Sequence, residues 1–480
     1  MPRRLANSTA ASKSLNTQRN RWDVPQGRAV SLWQGLTPPQ IFVSSFLLLI
    51  AIGTCGLRWL PGLYVGSGLG WIDSFFTATS AVCVTGLIVV DTATYFTPAG
   101  QAFILSLIQF GGLGMLAFSS LIIIALGKRL SLRTEMLTSG TLNSGPLIDS
   151  KRLAIDIVRF SVAIEGLGAL ALYCIWGPNL GWKEAAWPSV FHSVSGFCNA
   201  GFSTFSNSLI GFQNSPTTLV ILGFLIVAGG IGFLTMEEIY LHLISQRWRR
   251  NNRLSLHSKL VLVTSCLLLI GGAAIFFACE RDASLVDISL KDRFCNSLFM
   301  SITARTAGFN SIDYSQATDS ANFLTILLML IGGSPGSTAG GLKTTTFALI
   351  GLLAWSRMKS EEKAYFSGRS IPDETIQRAV GLMVAYVAVV ALGVFVLSGT
   401  DPLPGKHNAF LARLFEVASA FGTVGLSMNL TPELSEAGRL AIALMMFLGR
   451  VGPLTLAAAF VIRKPKISQF RFAYEDVVVG

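Results

Sequence analysis

The chain has 480 residues, of which 51% are hydrophobic and only 13% are charged, with a formal net charge of +11. Soluble proteins carry charge on about 25% of their residues, so this composition excludes a water-soluble fold of such length. A disordered chain is excluded as well, because it requires low hydrophobicity. The composition indicates a polytopic membrane protein, in which clustered basic residues report orientation in the membrane and not binding of nucleic acid.

Eight apolar segments are long enough to cross a bilayer as helices. They lie at 40–57, 100–126, 153–176, 217–244, 259–279, 321–353, 377–398 and 437–462. The basic segments are the two ends of the chain and every second connector, and together they hold 25 of the 37 lysines and arginines. The positive-inside rule therefore predicts a multi-pass plasma-membrane protein with both termini in the cytoplasm and its spans paired as four hairpins.

Few signs of processing or cross-linking are present. Residues 1–39 contain no apolar stretch resembling a signal peptide, and we interpret them as a cytoplasmic tail. Their richness in arginine and serine leaves an organellar transit peptide as the alternative. The seven cysteines are odd in number and lack CxxC spacing, which favours small apolar packing residues over disulfides or a metal site.

Each outside-facing connector contains a shorter apolar element that cannot span the membrane: Trp71–Leu87, Trp187–Phe202, Phe294–Phe309 and Phe410–Leu426. A half-length helix followed by irregular backbone is typical of a re-entrant loop lining a cavity. All four elements end with a glycine in the same place, and these glycines are 115, 107 and 117 residues apart. We predict an all-α fold of four tandem helix–re-entrant loop–helix repeats in pseudo-fourfold arrangement around one pore. Glycines that merely bend loops or pack helices closely are the alternative.

The sequences of the predicted loops are suited to binding a dehydrated potassium ion. Four loops around an axis can present rings of backbone carbonyls that replace the hydration shell of K⁺. Carbonyls aligned on one side require backbone angles open mainly to glycine. One loop ends in Thr-Val-Gly, as potassium-channel filters do, and no acidic ring of the calcium-selective kind is present. The predicted filter backbone comprises Val84, Thr85, Gly86, Asn199, Ala200, Gly201, Thr306, Ala307, Gly308, Thr423, Val424 and Gly425.

A second motif, a Gly/Ser/Thr/Pro run at 332–344, interrupts the sixth span. Glycine and proline break the helix there, and the freed backbone groups must face water or protein. Its small side chains can move at little steric cost, although a helix kinked at a packing contact is an alternative. The residues assigned to this run are Gly332, Gly333, Ser334, Pro335, Gly336, Ser337, Thr338, Ala339, Gly340, Gly341 and Lys343.

Two arginines lie close to these motifs. Arg450 is in the middle of the last span, where a cation usually faces a cavity or an acidic partner such as Glu165. Arg305 begins the third loop, and its side chain is expected behind the loop, paired with an acid such as Asp313, because a cation in the pathway would repel K⁺. The candidate acids for concentrating cations outside are Asp282, Asp287 and Asp401.

Over roughly residues 40–463 the repeats and the run at 332–344 resemble the pore-forming subunits of the Trk/Ktr/HKT potassium transporters, most closely the KtrB branch. The resemblance implies potassium uptake through the filter. It also implies that 332–344 is an intramembrane gating loop and that Arg450 is a pore-facing barrier beside it. Sodium-transporting HKT members carry serine in the first loop, so Gly86 favours potassium. TrkH-like members have an additional N-terminal hairpin, which residues 1–39 cannot form.

The resemblance further implies a homodimer in membrane lipid and a cytosolic KtrA-like nucleotide-binding ring as partner. ATP, ADP or NAD is expected in that partner alone, and no cofactor is expected in this chain. K⁺ is the substrate, and the resemblance leaves a role for Na⁺ as activator open.

The predicted organisation follows from the spans and loops. It comprises an N-terminal tail (1–39), repeat 1 (40–130), a linker (131–152), repeat 2 (153–250), repeat 3 with the gating loop (251–357), a second linker (358–375), repeat 4 (376–463) and a C-terminal tail (464–480).

Other functions fit less well. A coupled secondary transporter, such as a sodium-driven symporter, has a midplane site in two symmetric halves, whereas four repeats with one strongly broken span favour a pore. A sodium-permeable HKT-like transporter is the second alternative. Ser334 lies in the G-x-S-x-G pattern of serine hydrolases, but no strand precedes it. The segment 336–344 superficially resembles a phosphate-binding P-loop but lacks the G-K-[ST] order. An enzyme is therefore not expected.

Overall fold

The computed structural model describes residues 37–115, 150–247, 254–402 and 408–460. The end of the second predicted span, most of the tails and most of the linker 131–152 lie outside these ranges. The α-helices are α1 (Pro38–Trp59), α2 (Trp71–Val82), α3 (Thr92–Tyr95), α4 (98–115), α5 (Ser150–Leu180), α6 (Trp182–Cys198), α7 (Pro216–Ile231), α8 (Phe233–Arg247), α9 (Leu256–Glu280), α10 (Leu290–Thr303), α11 (Asp319–Leu330), α12 (Thr344–Met358), α13 (Asp373–Thr400), α14 (Ala409–Gly422), α15 (Glu436–Val451) and α16 (Pro453–Phe460).

Among the described residues, four helices, α1, α5, α9 and α13, are long and apolar enough to cross a membrane, and a fifth candidate is the bent pair α7–α8. Each of the four is followed in the chain by a half-length helix, in turn α2, α6, α10 and α14. The all-α polytopic membrane fold predicted from the sequence is confirmed. The segments predicted as the second spans of repeats 2, 3 and 4 are each divided into two shorter helices.

The fourth predicted span, 217–244, is not continuous. Gly232 separates α7 from α8 with a φ of +92°, and the two helices are bent by 105°. The last predicted span is also divided, at Gly452 with a φ of +83°. The sequence-based expectation of a single strongly broken span was therefore wrong. At both places a left-handed glycine turns the chain where most other residues would be strained.

The half-length helices pack inside the long ones and connect neighbouring repeats. Each contacts the long helix before it, in the pairs α1–α2, α5–α6, α9–α10 and α13–α14. Contacts between repeats run through α7–α10 and α11–α14, and α15 packs back on α2. On the remaining side, Gly112 of α4 lies against the side chain of Cys198. The four groups of helices thus form a closed ring.

The third half-length helix is shifted by one residue relative to the other three. Phe76, Phe191 and Phe415, each ten residues before the loop glycine, are fully buried. Leu298, ten residues before the loop glycine of repeat 3, is 40% exposed, whereas Phe299 is 1% exposed. The segment between the buried aromatic residue and the glycine is therefore one residue shorter in repeat 3.

The predicted linker 358–375 contains a small hairpin that was not predicted from the sequence. Strands β1 (Tyr365–Phe366) and β2 (Arg369–Ser370) pair antiparallel. Ser367 and Gly368 between them have φ values of +52° and +76°, the signature of a two-residue turn with both central residues left-handed. Ala364, Ile371 and Ile376 form a small apolar cluster beside it.

A buried carboxylate fixes the C-terminal end of α9. Glu280 is fully buried, and its carboxylate accepts hydrogen bonds from Thr318 N at 2.9 Å, Thr318 Oγ1 at 2.6 Å and Ser284 N at 3.2 Å. Glu280→Gln is expected to destabilise the protein by about 2 kcal/mol, because charge-assisted bonds are weakened and one amide hydrogen faces a donor. Thermal unfolding in detergent measures this loss. Glu374→Gln, at an exposed ion pair with Arg378, is the control, and equal melting temperatures would contradict the assignment.

Candidate ion-binding site

The four predicted loops converge on one point, each against the next. A Cβ added to any of the four loop glycines would lie 3.0 Å or less from a carbonyl oxygen of the following loop. These contacts are Gly86 with Ala200 O, Gly201 with Ala307 O, Gly308 with Val424 O, and Gly425 with Thr85 O. The loops therefore form a closed ring in chain order, in which repeats 1 and 3 face each other and repeats 2 and 4 face each other.

The loops also share an unusual backbone conformation. The glycines have φ values of +95°, +70°, +79° and +96° in chain order. Two residues earlier, Val84, Asn199, Thr306 and Thr423 have φ values of +55°, +60°, +78° and +51°. Three of these are β-branched residues, for which a left-handed backbone is a genuine outlier. Such strain costs of order 1–3 kcal/mol per residue and is concentrated at functional sites.

Buried oxygen atoms without partners accompany this strained backbone. Thr306 Oγ1, Thr423 Oγ1 and Asn199 Oδ1 are buried and accept or donate no hydrogen bond among the described residues. All three belong to the left-handed position two residues before the glycine. Buried polar atoms are nearly always satisfied by protein, water or an ion. The arrangement thus offers neutral oxygen atoms where a dehydrated cation would need ligands.

Hydroxyl groups on the half-length helices hold the loops in place. Ser80 Oγ donates to Leu87 O at 2.7 Å, Ser195 Oγ to Phe202 O at 2.8 Å and Thr303 Oγ1 to Phe309 O at 2.6 Å. In the fourth repeat, Gly425 N donates to Ser419 Oγ at 3.1 Å. Each loop is therefore anchored to its own helix by a side chain, which pre-organises the backbone.

A cavity of about 260 Å³ opens on one side of the glycine ring, called the outer side here because the sequence predicts that it faces outward, and all four glycines line it. Two acids also line it, Asp91 and Asp313, each five residues after the glycine of its repeat. The sequence analysis missed this pair, although the shared spacing was available as a signal. Of the acids that it proposed instead, none lines this cavity, and Asp401 accepts a hydrogen bond from Ser435 N at 2.6 Å.

The Gly/Ser/Thr/Pro run forms a loop on the other side of the ring. Its ends are joined, because Gly332 N donates to Leu342 O at 2.9 Å and Thr344 N to Gly333 O at 3.0 Å. The run is also tied to the break between α7 and α8. Ser334 N donates to Gly230 O at 2.9 Å, and Phe233 N donates to Gly336 O at 2.8 Å. The backbone at the α7–α8 break thus supports the Gly/Ser/Thr/Pro run.

Thr338 connects this loop to the ring. Its Oγ1 accepts from Asn199 Nδ2 at 3.0 Å, and its carbonyl accepts from Arg450 Nη1. On the opposite repeat, a Cβ on Gly340 would overlap the side chain of Thr423. The loop therefore contacts the left-handed residues of repeats 2 and 4, directly on the inner side of the ring.

Arg450 is 1% exposed and bridges the loop to α4, because its Nη2 donates to Gly111 O at 2.9 Å. The alternative ion pair with Glu165 is not observed: that carboxylate accepts from Gln109 Nε2 at 3.0 and 3.1 Å. Lys343 Nζ donates to Ala339 O at 2.7 Å. Lys343 and Arg450 both line a cavity of about 180 Å³ beside the run.

The guanidinium of Arg305 has a different hydrogen-bond partner from the one expected from the sequence. Its Nη2 donates to Gly332 O at 3.3 Å, at the start of the Gly/Ser/Thr/Pro run. Asp313, the expected partner, accepts instead from Ser315 N at 2.9 Å and Ser315 Oγ at 2.7 Å. Arg305 therefore joins the third loop to the run, and the carboxylate of Asp313 stays at the outer cavity.

Comparison with known proteins agrees with this architecture. The family model described as TrkH, cation transport protein, matches residues 36–471. The potassium/sodium uptake protein NtpJ of Enterococcus hirae is 38% identical over 448 residues, which cover 93% of this chain and 98% of that protein. The Ktr system potassium uptake protein B of Bacillus subtilis is 38% identical over 450 residues, with the same coverage. The crystal structure of the potassium transporter TrkH from Vibrio parahaemolyticus matches with a TM-score of 0.71 and 18% identity, covering 90% of this chain and 86% of that one.

The helices and converging loops define a multi-pass membrane transport protein. The match over residues 36–471 and the identity to full-length relatives then assign the family. The chain belongs to the TrkH family of cation transport proteins, as the sequence resemblance predicted. Its activity is transport and not enzymatic catalysis.

Proposed function

We propose that the protein mediates potassium uptake across the plasma membrane through a carbonyl-lined selectivity filter. The observation that carries this proposal is the closed ring of four loops, in which every glycine abuts the carbonyl of the next loop. Alternation of left-handed residues with residues of negative φ turns successive carbonyls toward the same side, as a filter requires. The unpartnered oxygen atoms of Thr306, Thr423 and Asn199 add neutral ligands at the inner end.

The loop 332–344, hereafter the gating loop, is proposed to control this pathway. Its contacts with Asn199 and Thr423, both residues of the ring, support this role. Arg450 holds it through Thr338 O and adds positive charge that opposes cation passage. Small residues make displacement of the loop sterically inexpensive. Opening would release the Arg450 contact and the bonds to the α7–α8 break.

The relatives named as components of a Ktr system support a multi-subunit assembly. We extend this to a homodimer with both termini cytoplasmic, regulated by a cytosolic KtrA-like ring that binds ATP, ADP or NAD. The basic cytoplasmic segments offer a surface for that partner. Sodium activation is a further part of the proposal, motivated by a relative named as a potassium/sodium uptake protein.

Two alternatives are weaker. A sodium-permeable HKT-like transporter is disfavoured because glycine occupies all four ring positions. A coupled carrier with a midplane site is disfavoured because loops from four repeats converge in one ring, whereas such carriers bind their substrate between two halves.

Potassium uptake in cells that lack their own potassium transporters tests the proposal. Expression of the wild-type chain is expected to restore growth and K⁺ uptake at low external K⁺. Little Na⁺ uptake is expected when K⁺ is absent. Varying external Na⁺ at constant K⁺ then separates activation by sodium from sodium transport. Co-expression with a KtrA-like partner is the second arm, and failure of uptake in both arms would refute potassium transport.

A further inference from the structure

Two ionisable side chains occupy the same place in opposite repeats. His192 and Glu416 each lie nine residues before the loop glycine of their repeat, and both are fully buried. His192 Nε2 is 2.9 Å from Ser203 Oγ, and Ser427 Oγ donates to Glu416 Oε2 at 2.8 Å. The two serines are themselves equivalent, each two residues after the glycine. The chain thus contains the same buried pair twice, with different chemical groups.

Both pairs orient the serine hydroxyl in the same way. His192 Nδ1 lies 2.8 Å from Pro188 O, a pure acceptor, so this nitrogen carries the hydrogen. In the neutral ring Nε2 is then an acceptor, and Ser203 must donate to it. Ser203 Oγ also accepts from Phe205 N at 3.0 Å, which leaves one lone pair. Glu416, as a carboxylate, likewise takes the hydroxyl hydrogen of Ser427. Ser427 Oγ also accepts from Leu430 N at 3.1 Å. Thr431 Oγ1, 3.2 Å away, gives its hydrogen to Glu416 Oε1, so that one lone pair of Ser427 Oγ is left, as on Ser203.

The other two repeats lack this pair. Repeat 1 has Thr77 and Ile88 at the two positions, and the Thr77 hydroxyl has no partner among the described residues. In repeat 3, allowing for the one-residue shift, buried Met300 takes the place of the ionisable residue. Because repeats 2 and 4 face each other across the ring, the two oriented hydroxyls lie on opposite sides of the pathway.

Ser203 and Ser427 both line the outer cavity, in which the ring glycines also lie. We propose that these two serines form a side-chain binding site for a monovalent cation just outside the glycine ring, with His192 and Glu416 as positioning residues. The site would supply neutral oxygen ligands to a cation that is losing its outer waters. The inference rests on the proposed potassium uptake and adds a binding step made by side chains instead of carbonyls.

The test is the concentration dependence of K⁺ uptake for Ser203→Ala, Ser427→Ala and the double variant. Each single change is expected to raise KM for K⁺ about fivefold with little change in maximal rate, the size expected for one lost polar ligand. Ser427→Thr keeps the hydroxyl and should restore a KM close to wild type. Ser206→Ala is the matched control, because it alters a serine that lines the same cavity without the buried partner.

Glu416→Gln should raise KM in the wild-type background but have no further effect when combined with Ser427→Ala, because it acts through that serine. Asp313→Asn distinguishes direct binding of the cation from its long-range attraction by a charge. High choline chloride screens exposed charges, so the effect of Asp313→Asn on KM should vanish there, whereas the effect of Ser427→Ala on KM should persist. An unchanged KM with a lower maximal rate in both serine variants would overturn the site while leaving potassium uptake intact. Absence of uptake by the wild type would instead refute the proposed function, and the site with it.

Discussion

Serine in place of Gly86 is expected to abolish most discrimination between K⁺ and Na⁺ and to lower K⁺ uptake. The backbone there has a φ of +95°, and a Cβ would overlap Ala200 O of the next loop. A left-handed side chain alone costs roughly 1–2 kcal/mol, and the overlap forces the carbonyl away. Since 1.4 kcal/mol corresponds to a factor of ten, selectivity should fall at least about tenfold.

Gly201→Ser should be the milder of two such changes. Its φ is +70°, and a Cβ there would lie 2.9 Å from Gly308 Cα and 3.0 Å from Ala307 O, a smaller overlap than that with Ala200 O at Gly86. Ion competition in uptake assays measures both variants. Gly62→Ser is the control, because Gly62 has a φ of +77° with no atom within 4 Å of an added Cβ. If Gly62→Ser altered selectivity as strongly as Gly86→Ser, the effect would reflect general backbone strain and not the ring.

Removal of the Arg450 side chain should have the second large effect, an increase in K⁺ flux without the cytosolic partner. Its guanidinium holds Thr338 O in the gating loop and Gly111 O in α4. Hydrogen bonds to a charged donor contribute about 1.5–3 kcal/mol each. Arg450→Gln loses the charge and at least one of these bonds, so the open population should rise by about one to two orders of magnitude. Flux into proteoliposomes containing the purified chain alone measures this change.

Arg413→Gln provides the matched comparison. Arg413 also donates to a backbone carbonyl, Asp401 O, at 3.0 and 3.3 Å, but it does so away from the gating loop. Its substitution should leave flux without the partner unchanged. Equal or lower flux in Arg450→Gln, at equal protein in the vesicles, would show that the arginine does not hold the pathway closed.

The loops were predictable because their chemistry is local. A glycine that must adopt positive φ cannot be replaced at little cost, so four copies at similar intervals after half-length apolar elements are conspicuous in the sequence. The run at 332–344 stands out for the same reason, since glycine and proline interrupt an apolar span. The third repeat shows the limit of this reasoning. Burial of Phe299 in place of Leu298 is a matter of packing, and both residues are apolar.

Partners of the buried charges were not predictable. The sequence suggested an acid such as Asp313 as the partner of Arg305 and left an ion pair with Glu165 as the alternative for Arg450, yet both guanidinium groups donate to backbone carbonyls. Any exposed carbonyl at a helix break can accept a hydrogen bond, and carbonyls are not distinguished by residue type. The bend at Gly232 was not predicted either, because apolar residues continue on both sides of it and the sequence reads as one continuous span.

By itself the sequence determined the membrane class, the all-α fold, the loop glycines and the family, because hydrophobicity and glycine's backbone freedom are properties of single residues and their spacing. Only the tertiary structure decided which loop abuts which, that the gating loop rests on the α7–α8 break, and that Ser203 and Ser427 share one cavity. These relations join residues more than a hundred positions apart. They depend on how the helices pack around the ring, which no local pattern encodes.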